Sequence, residues 1–119
     1  MDKLEEVFYW QKKFDEDLAQ KRGLQHIGME EWIQRETLAM ISELAELLDE
    51  VNFKWWKNKK EVDSNLVKGE LVDILHFFVS MCIKTGMDAD ELYTRYMEKN
   101  KENFLRQKGQ TEKDGYKAE

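Results

Sequence analysis

The chain has 119 residues, the size of one domain, and 19 Lys and Arg against 25 Asp and Glu give it a formal net charge of −6. That acidic balance argues against a nucleic-acid or anionic-membrane binder, which would carry a basic excess. Residues are 41% hydrophobic and 37% charged, with no proline and only six glycines, which favours long uninterrupted helices in a soluble protein over a turn-rich β fold.

Four helical stretches follow from 3.6-residue periodicity and its breaks. The first runs from about Leu4 to Lys21, with Leu4, Val7, Phe8, Gln11, Phe14 and Leu18 along one side. Residues 22–28 hold two glycines and interrupt the pattern. A second helix, from about Met29 to Val51, carries Ile33, Met40, Leu44, Leu47, Leu48 and Val51 on a broad apolar arc. Residues 52–63 (NFKWWKNKKEVD) form a basic, aromatic connection. The third helix starts near Ser64, a candidate N-cap, and stops by Gly86. Asp88, with Glu91 three residues on, resembles a capping box and opens a fourth helix reaching about Lys108. The expected architecture is an all-α bundle of four to five helices over residues 1–108, followed by a polar tail, 109–119, that could close over an active site.

The single cysteine, Cys82, excludes an internal disulfide and suits a reducing, cytoplasmic compartment. The opening MDKLEEVFYW is too acidic and aromatic for a signal peptide. Asp73 and His76 interrupt the longest apolar run, Leu71 to Ile83, which is too short to span a bilayer.

The third helix is apolar nearly all round, so it should be central. Yet Glu70 and Asp73 sit within that surface, Glu70 flanked by Leu66 and Phe77 on one side and by Ile74 and Met81 on the other. Two acids facing inward would lose several kcal/mol of hydration (roughly, per group) unless paired, protonated or metal-bound. The second helix offers a matching pair, Glu43 and Glu46, one turn before Glu50. Alone, such a pair is common on solvated helix faces. Antiparallel packing of the two helices would bring both pairs together, and four oxygen ligands without a thiolate suit a hard cation such as Mg²⁺. A di-iron site would need a histidine three residues after a glutamate on two helices, whereas only Asp73 with His76 approaches that pattern. Carboxylate-bound Mg²⁺ instead holds substrate phosphates and prepares water for attack.

These residues resemble a known family. The two acidic pairs on successive helices are similar to the MazG-like all-α nucleoside triphosphate pyrophosphohydrolases. The runs SELAELLDEVNFKWWKNKK (42–60), GELVDILHFFVSM (69–81) and KNKENFLRQKGQTEKDGY (99–116), with QKKFDEDL (11–18) near the start, narrow the resemblance to the dimeric all-α dUTPases. The resemblance implies hydrolysis of dUTP, and of dUDP, to dUMP. It also implies Mg²⁺ bound by Glu43, Glu46, Glu70 and Asp73. One of the second-helix glutamates, Glu46 ahead of Glu43, would orient or deprotonate the attacking water. Lys54, Lys57, Lys99, Asn103, Arg106 and Tyr116 become candidates for the polyphosphate, and Gln11, Asp15 and Trp56 for the base and sugar.

Several residues carry plainer expectations beside these. Lys59 and Lys60 read as a solvated charge run, His76 as a satisfied core histidine and Cys82 as core packing. Adjacent Trp55 and Trp56 cannot both face one core, so one should cover a ligand or partner. Asp15 stands where the family often has Asn, and Gly69 where it usually has Glu. A mid-helix glycine costs up to about 1 kcal/mol relative to alanine, consistent with close packing or local flexibility there. Dimerisation follows from the resemblance and from 12% aromatic residues, more than so small a bundle can bury. The function expected is therefore a Mg²⁺-dependent dUTP diphosphatase, a cytoplasmic homodimer with a nucleotide substrate and neither nucleic-acid nor membrane partners. One rival is a MazG-like enzyme for another nucleotide, such as dCTP or a non-canonical one. The other is a non-enzymatic helical interaction module with its acids merely on the surface.

Overall fold

Short capping side chains set where three of the helices begin. In the computed structural model, which describes residues 1–109 and Gly115, the helices are α1 (Lys3–Arg22), α2 (Met29–Glu50), α3 (Ser64–Lys84) and α4 (Ala89–Gln107). There is no strand among the described residues, so the fold is the expected all-α one. The Asp2 carboxylate caps α1 by accepting from the Glu5 N–H at 2.8 Å, a bond that holds its pKa below the usual carboxylate value. Gly23 ends α1 in the left-handed region at φ 65°, a conformation glycine adopts without steric cost. Asp63, one residue before the expected Ser64, caps α3 through the N–H groups of Asn65 and Leu66. Asp88 caps α4 as anticipated. The reciprocal half of a capping box is replaced, because the Glu91 carboxylate turns forward to Arg95 at 2.8 Å.

By its contacts the chain divides into two compact units, Met1–Gly86 and the stretch from Met87 onward. In the first unit α3 packs against both α1 and α2, which makes it the central helix its all-round apolarity demanded. Hydrogen-bond partners fix the directions. Gln11 meets His76 and Asp15 meets Ser80, so α1 runs parallel to α3. Thr37 meets Met81 near one end while Glu43 approaches Glu70 near the other, so α2 runs antiparallel to it. Phe8, Ile27, Val79 and Cys82 are buried there, and so are the polar residues Gln11, Glu36 and Ser80. Burial pushes the Cys82 thiol pKa up and keeps it a packing residue, as expected.

The α2–α3 connection is held by one side chain. Asn52 adopts φ 60°, tolerable for asparagine, and its amide exchanges two bonds with the Lys60 backbone, donating at 3.0 Å and accepting at 2.9 Å. The second unit consists of α4 and its flanks, with Ala89 buried. No helix among the described residues is long and apolar enough to cross a membrane.

Candidate functional site

Glu43 and Glu46 lie one turn apart on α2, and Glu70 faces them from α3. One carboxylate oxygen from each lies within 4.8 Å of the others. Glu43 and Glu70 are half-buried, and Glu46 is exposed, as its place toward the polar side of α2 predicted. Desolvation first, then a shared hydrogen bond with Glu43 and the charges of Glu46 and Glu43, pushes the Glu70 carboxyl up to about 7. The Oε2 atoms of Glu43 and Glu70 are buried without a hydrogen-bond partner. Unpaired buried carboxylate oxygens are costly, and an all-oxygen donor set of this kind fits a hard divalent cation.

Asp73, expected as the fourth ligand, lies outside this cluster and is exposed. Glu43 and Glu46 share this three-residue spacing and do converge, so Asp73 is set apart by its exposed place on α3 and not by the spacing. The reading of Glu70 and Asp73 as an inward-facing pair is therefore corrected to Glu70 alone.

The α2–α3 loop gathers cations. Lys54, Lys57 and Lys60 line a cavity of about 190 Å³ with Asp49, Asn52 and Asn58. Lys54 pairs with Asp49 at 3.5 Å. Lys60 is no free member of a charge run, since its ammonium meets Glu50 at 3.4 Å and its backbone is clamped by Asn52. Trp55 and Trp56 pack edge to face at 4.6 Å between ring centres. Both are exposed, at 81% and 61%, so neither faces the core.

Gln11 and Asp15 enter a polar network that joins all three helices. The Gln11 amide donates to Asp15 at 3.0 Å and its carbonyl oxygen meets His76 Nδ1 at 2.8 Å. The Ser80 hydroxyl lies 2.6 Å from both Asp15 and Glu36. Lys84 donates to Glu36 at 2.6 Å and to Ser80 at 2.9 Å, and its ammonium stands 3.9 Å from Asp15 and 3.9 Å from the centre of the Trp32 ring. His76 is satisfied as expected but exposed rather than in the core. Glu36, Ser80 and Lys84 were passed over in the sequence. A signal was there: Glu36 lies on the apolar arc between Ile33 and Met40, and Ser80 and Lys84 share one face of α3 four residues apart. At this end of the unit, α1 and α3 enclose an apolar groove of about 540 Å³, lined by Trp10, Gln11, Phe14, Leu75 and His76 among others.

Lys99, Asn103 and Arg106 lie on α4 in the second unit, where Arg106 meets Glu102 at 3.4 Å and Asn103 at 3.4 Å. Tyr116 lies outside the described residues, as does the proposed tail apart from Gly109 and Gly115. Gly69 is not closely packed, because a Cβ built there would meet nothing within 4 Å.

A central helix contributing one acid to a pair on its antiparallel neighbour defines an all-α acidic-site protein, and comparison with known proteins narrows that class. A family model described as dUTPase matches residues 3–88, and the chain belongs to this all-α dUTPase family. The match takes in α1 to α3 and stops before α4. The chain is also 36% identical to a dCTP pyrophosphatase of Enterobacteria phage T4, over 61% of this chain and 51% of the relative. A dCTP pyrophosphatase of Enterobacteria phage LZ5 is 49% identical over 34% of this chain and 24% of the relative. The chain thus spans about half or less of the length of these relatives. No solved structure matches it significantly.

Proposed function

We propose that the protein is a Mg²⁺-dependent nucleotide pyrophosphohydrolase that converts a pyrimidine deoxynucleoside triphosphate, dUTP first among them, and water to the monophosphate and pyrophosphate. The observation that carries this reading is the Glu43, Glu46 and Glu70 cluster, with two buried oxygens lacking partners. Glu43, Glu46 and Glu70 would hold Mg²⁺, with Asp73 a further candidate should its side chain turn inward when the site is loaded. The cation supplies neutralisation of triphosphate charge and acidification of bound water.

Glu46, the exposed member, would orient the attacking water and take its proton, with Glu43 second to it. Lys54 and Lys57 on the cavity-lining loop would meet the polyphosphate, joined by Lys99, Asn103 and Arg106 of α4 and by Tyr116. Gln11, Asp15 and Trp56 would serve the base and sugar. dUDP would be a second substrate. Homodimerisation is supported by exposed apolar stripes, Leu38, Ile41, Leu44 and Leu48 on α2 and Leu71 and Phe78 on α3, each at least 41% exposed. The lone thiol and the absence of any disulfide suit a cytoplasmic enzyme.

The two phage relatives named as dCTP pyrophosphatases favour a second reading, in which the same metal chemistry acts on dCTP. The deciding experiment is product release from a panel of deoxynucleoside triphosphates with Mg²⁺, alongside Glu46→Gln. Selective conversion of dUTP, lost in the variant, supports the first reading, and selective conversion of dCTP supports the second. No turnover of any nucleotide, with no Mg²⁺-dependent shift in melting temperature, would leave a non-enzymatic helical module as the better account.

A further inference from the structure

Where a helix ends on a left-handed residue, glycine is the least strained choice, and a side chain in that place asks for a reason. The end of α2 is such a place. The N–H groups of Val51 and Phe53 both reach back to the Leu48 carbonyl, each at 3.2 Å, and Asn52 stands between them at φ 60°. Glycine would hold this backbone with less strain, so what asparagine adds is its amide. Asn52 Nδ2 donates to the Lys60 carbonyl at 3.0 Å, and the Lys60 N–H donates to Asn52 Oδ1 at 2.9 Å. The amide has one orientation here, because turning it round would set donor against donor and carbonyl against carbonyl.

The loop that this pair closes has little else to hold it. Residues 51–63 carry no helix or strand, and none of them is buried. A connection this long without structure of its own is uncommon in a compact domain. Two ion pairs tether it to the end of α2, Lys54 to Asp49 at 3.5 Å and Lys60 to Glu50 at 3.4 Å, but both lysines are at least 42% exposed, and exposed pairs contribute little. The two-bond amide contact is the geometrically defined restraint, and it brings residue 60 back against residue 52. Enclosed between them are Lys54, Lys57 and Asn58, which line the cavity of about 190 Å³ with Asp49, Asn52 and Lys60. Glu50 follows Glu46 by four residues, so the loop leaves α2 about 6 Å along the axis from that acid.

We propose that Asn52 is a positioning residue: its amide holds the basic loop closed in advance, so that Lys54 and Lys57 are already in place when an anion arrives at the acidic end of α2. The role rests on the polyphosphate contacts proposed above for those two lysines, whereas the clamp itself does not. An open loop would have to order itself at every binding event, and a loop closed beforehand removes that entropy loss from binding. Because Asn52 acts through the loop and not on the water or the metal, its effect falls on affinity and not on the chemical step.

The test uses Asn52→Gly in the full chain, since glycine keeps the left-handed backbone and deletes the amide alone. Hydrogen exchange followed by NMR in the free protein should show a protected Lys60 amide that exchanges at least about tenfold faster in the variant. In Mg²⁺-dependent hydrolysis of dUTP, or of dCTP if that is the nucleotide turned over, the variant should raise KM at least about tenfold and leave kcat within about threefold. In a Lys54→Ala, Lys57→Ala background the same substitution should change kcat/KM by less than about twofold, because the groups it positions are gone. A Lys60 amide that exchanges equally in both proteins overturns the clamp. An unchanged KM, a loss confined to kcat, or an undiminished effect in the absence of the two lysines overturns the positioning role. If the wild-type protein hydrolyses no nucleotide, the function proposed above fails and the positioning role with it, while the exchange measurement still decides whether Asn52 holds the loop.

Discussion

The first unit holds two groups of acids, and they are solved in opposite ways. Asp15 and Glu36 lie beside Lys84 and share the Ser80 hydroxyl. Glu43, Glu46 and Glu70 lean on one another instead, with two buried oxygens unpartnered and the Glu70 carboxyl pushed up to about 7. The first group receives a lysine ammonium from the chain, although Glu36 Oε2 is, like the oxygens of the second group, buried without a hydrogen-bond partner. In the second, the acids face one another, and strongly perturbed acids gathered in this way are a signature of functional sites. Both lie along α3, so the contrast is one of partners rather than of place.

The sharpest way to break this contrast is to remove the acid assigned to the water. Glu46→Gln should lower nucleotide hydrolysis by at least about a hundredfold while leaving the melting temperature near that of the wild type, because the side chain is exposed. Retained turnover would move the proton acceptor elsewhere. For the lysine-bridged group the expected loss is stability. Lys84→Met strands two carboxylates beside each other and should cost about 3 kcal/mol in denaturant unfolding, since the lysine side chain is only 17% exposed. A neutral result would mean the network is not compensated as described.

The group of Glu43, Glu46 and Glu70 should behave in the reverse sense. Without metal, Glu70 keeps its proton up to about pH 7 in the folded chain against an ordinary value of 4.5, so the folded state binds more protons between those limits. Stability of the metal-free protein should therefore fall as pH rises from 4.5 to 7 and be flat in this contribution on either side. Glu70→Gln should remove the slope and raise the melting temperature at neutral pH. An unchanged or lowered melting temperature in that variant would show that Glu70 is not strained. Mg²⁺ should raise the wild-type melting temperature and leave Glu70→Gln much less affected. The smallest expected effect is at the glycine beside the cluster. Gly69→Ala should stabilise α3 by about 0.5–1 kcal/mol, because the added methyl meets open space.

Much of this was legible in the sequence for identifiable reasons. Period and capping chemistry are local, so the four helices, the Asp88 cap and the glycine-bearing break after α1 could be read directly. An acid within an apolar helix face is a local anomaly too, which is why Glu43, Glu46 and Glu70 stood out and why the chain's family could be suspected from them. Asp73 misled because adjacency along a helix says nothing about which part of its circumference a neighbour covers. Adjacent Trp55 and Trp56 were read as unable to share one core, and packing goes further, leaving both exposed with their rings edge to face. The lysine-bridged network was hidden more deeply. Glu36, Ser80 and Lys84 lie 44 and 4 residues apart, unremarkable until α1, α2 and α3 meet. Helix identity and the presence of surplus inward acids are properties of one segment at a time, and the sequence determined both. Which acids receive a cation from the chain and which are left wanting one depends on distances of a few ångströms between segments, and only the tertiary structure decided that.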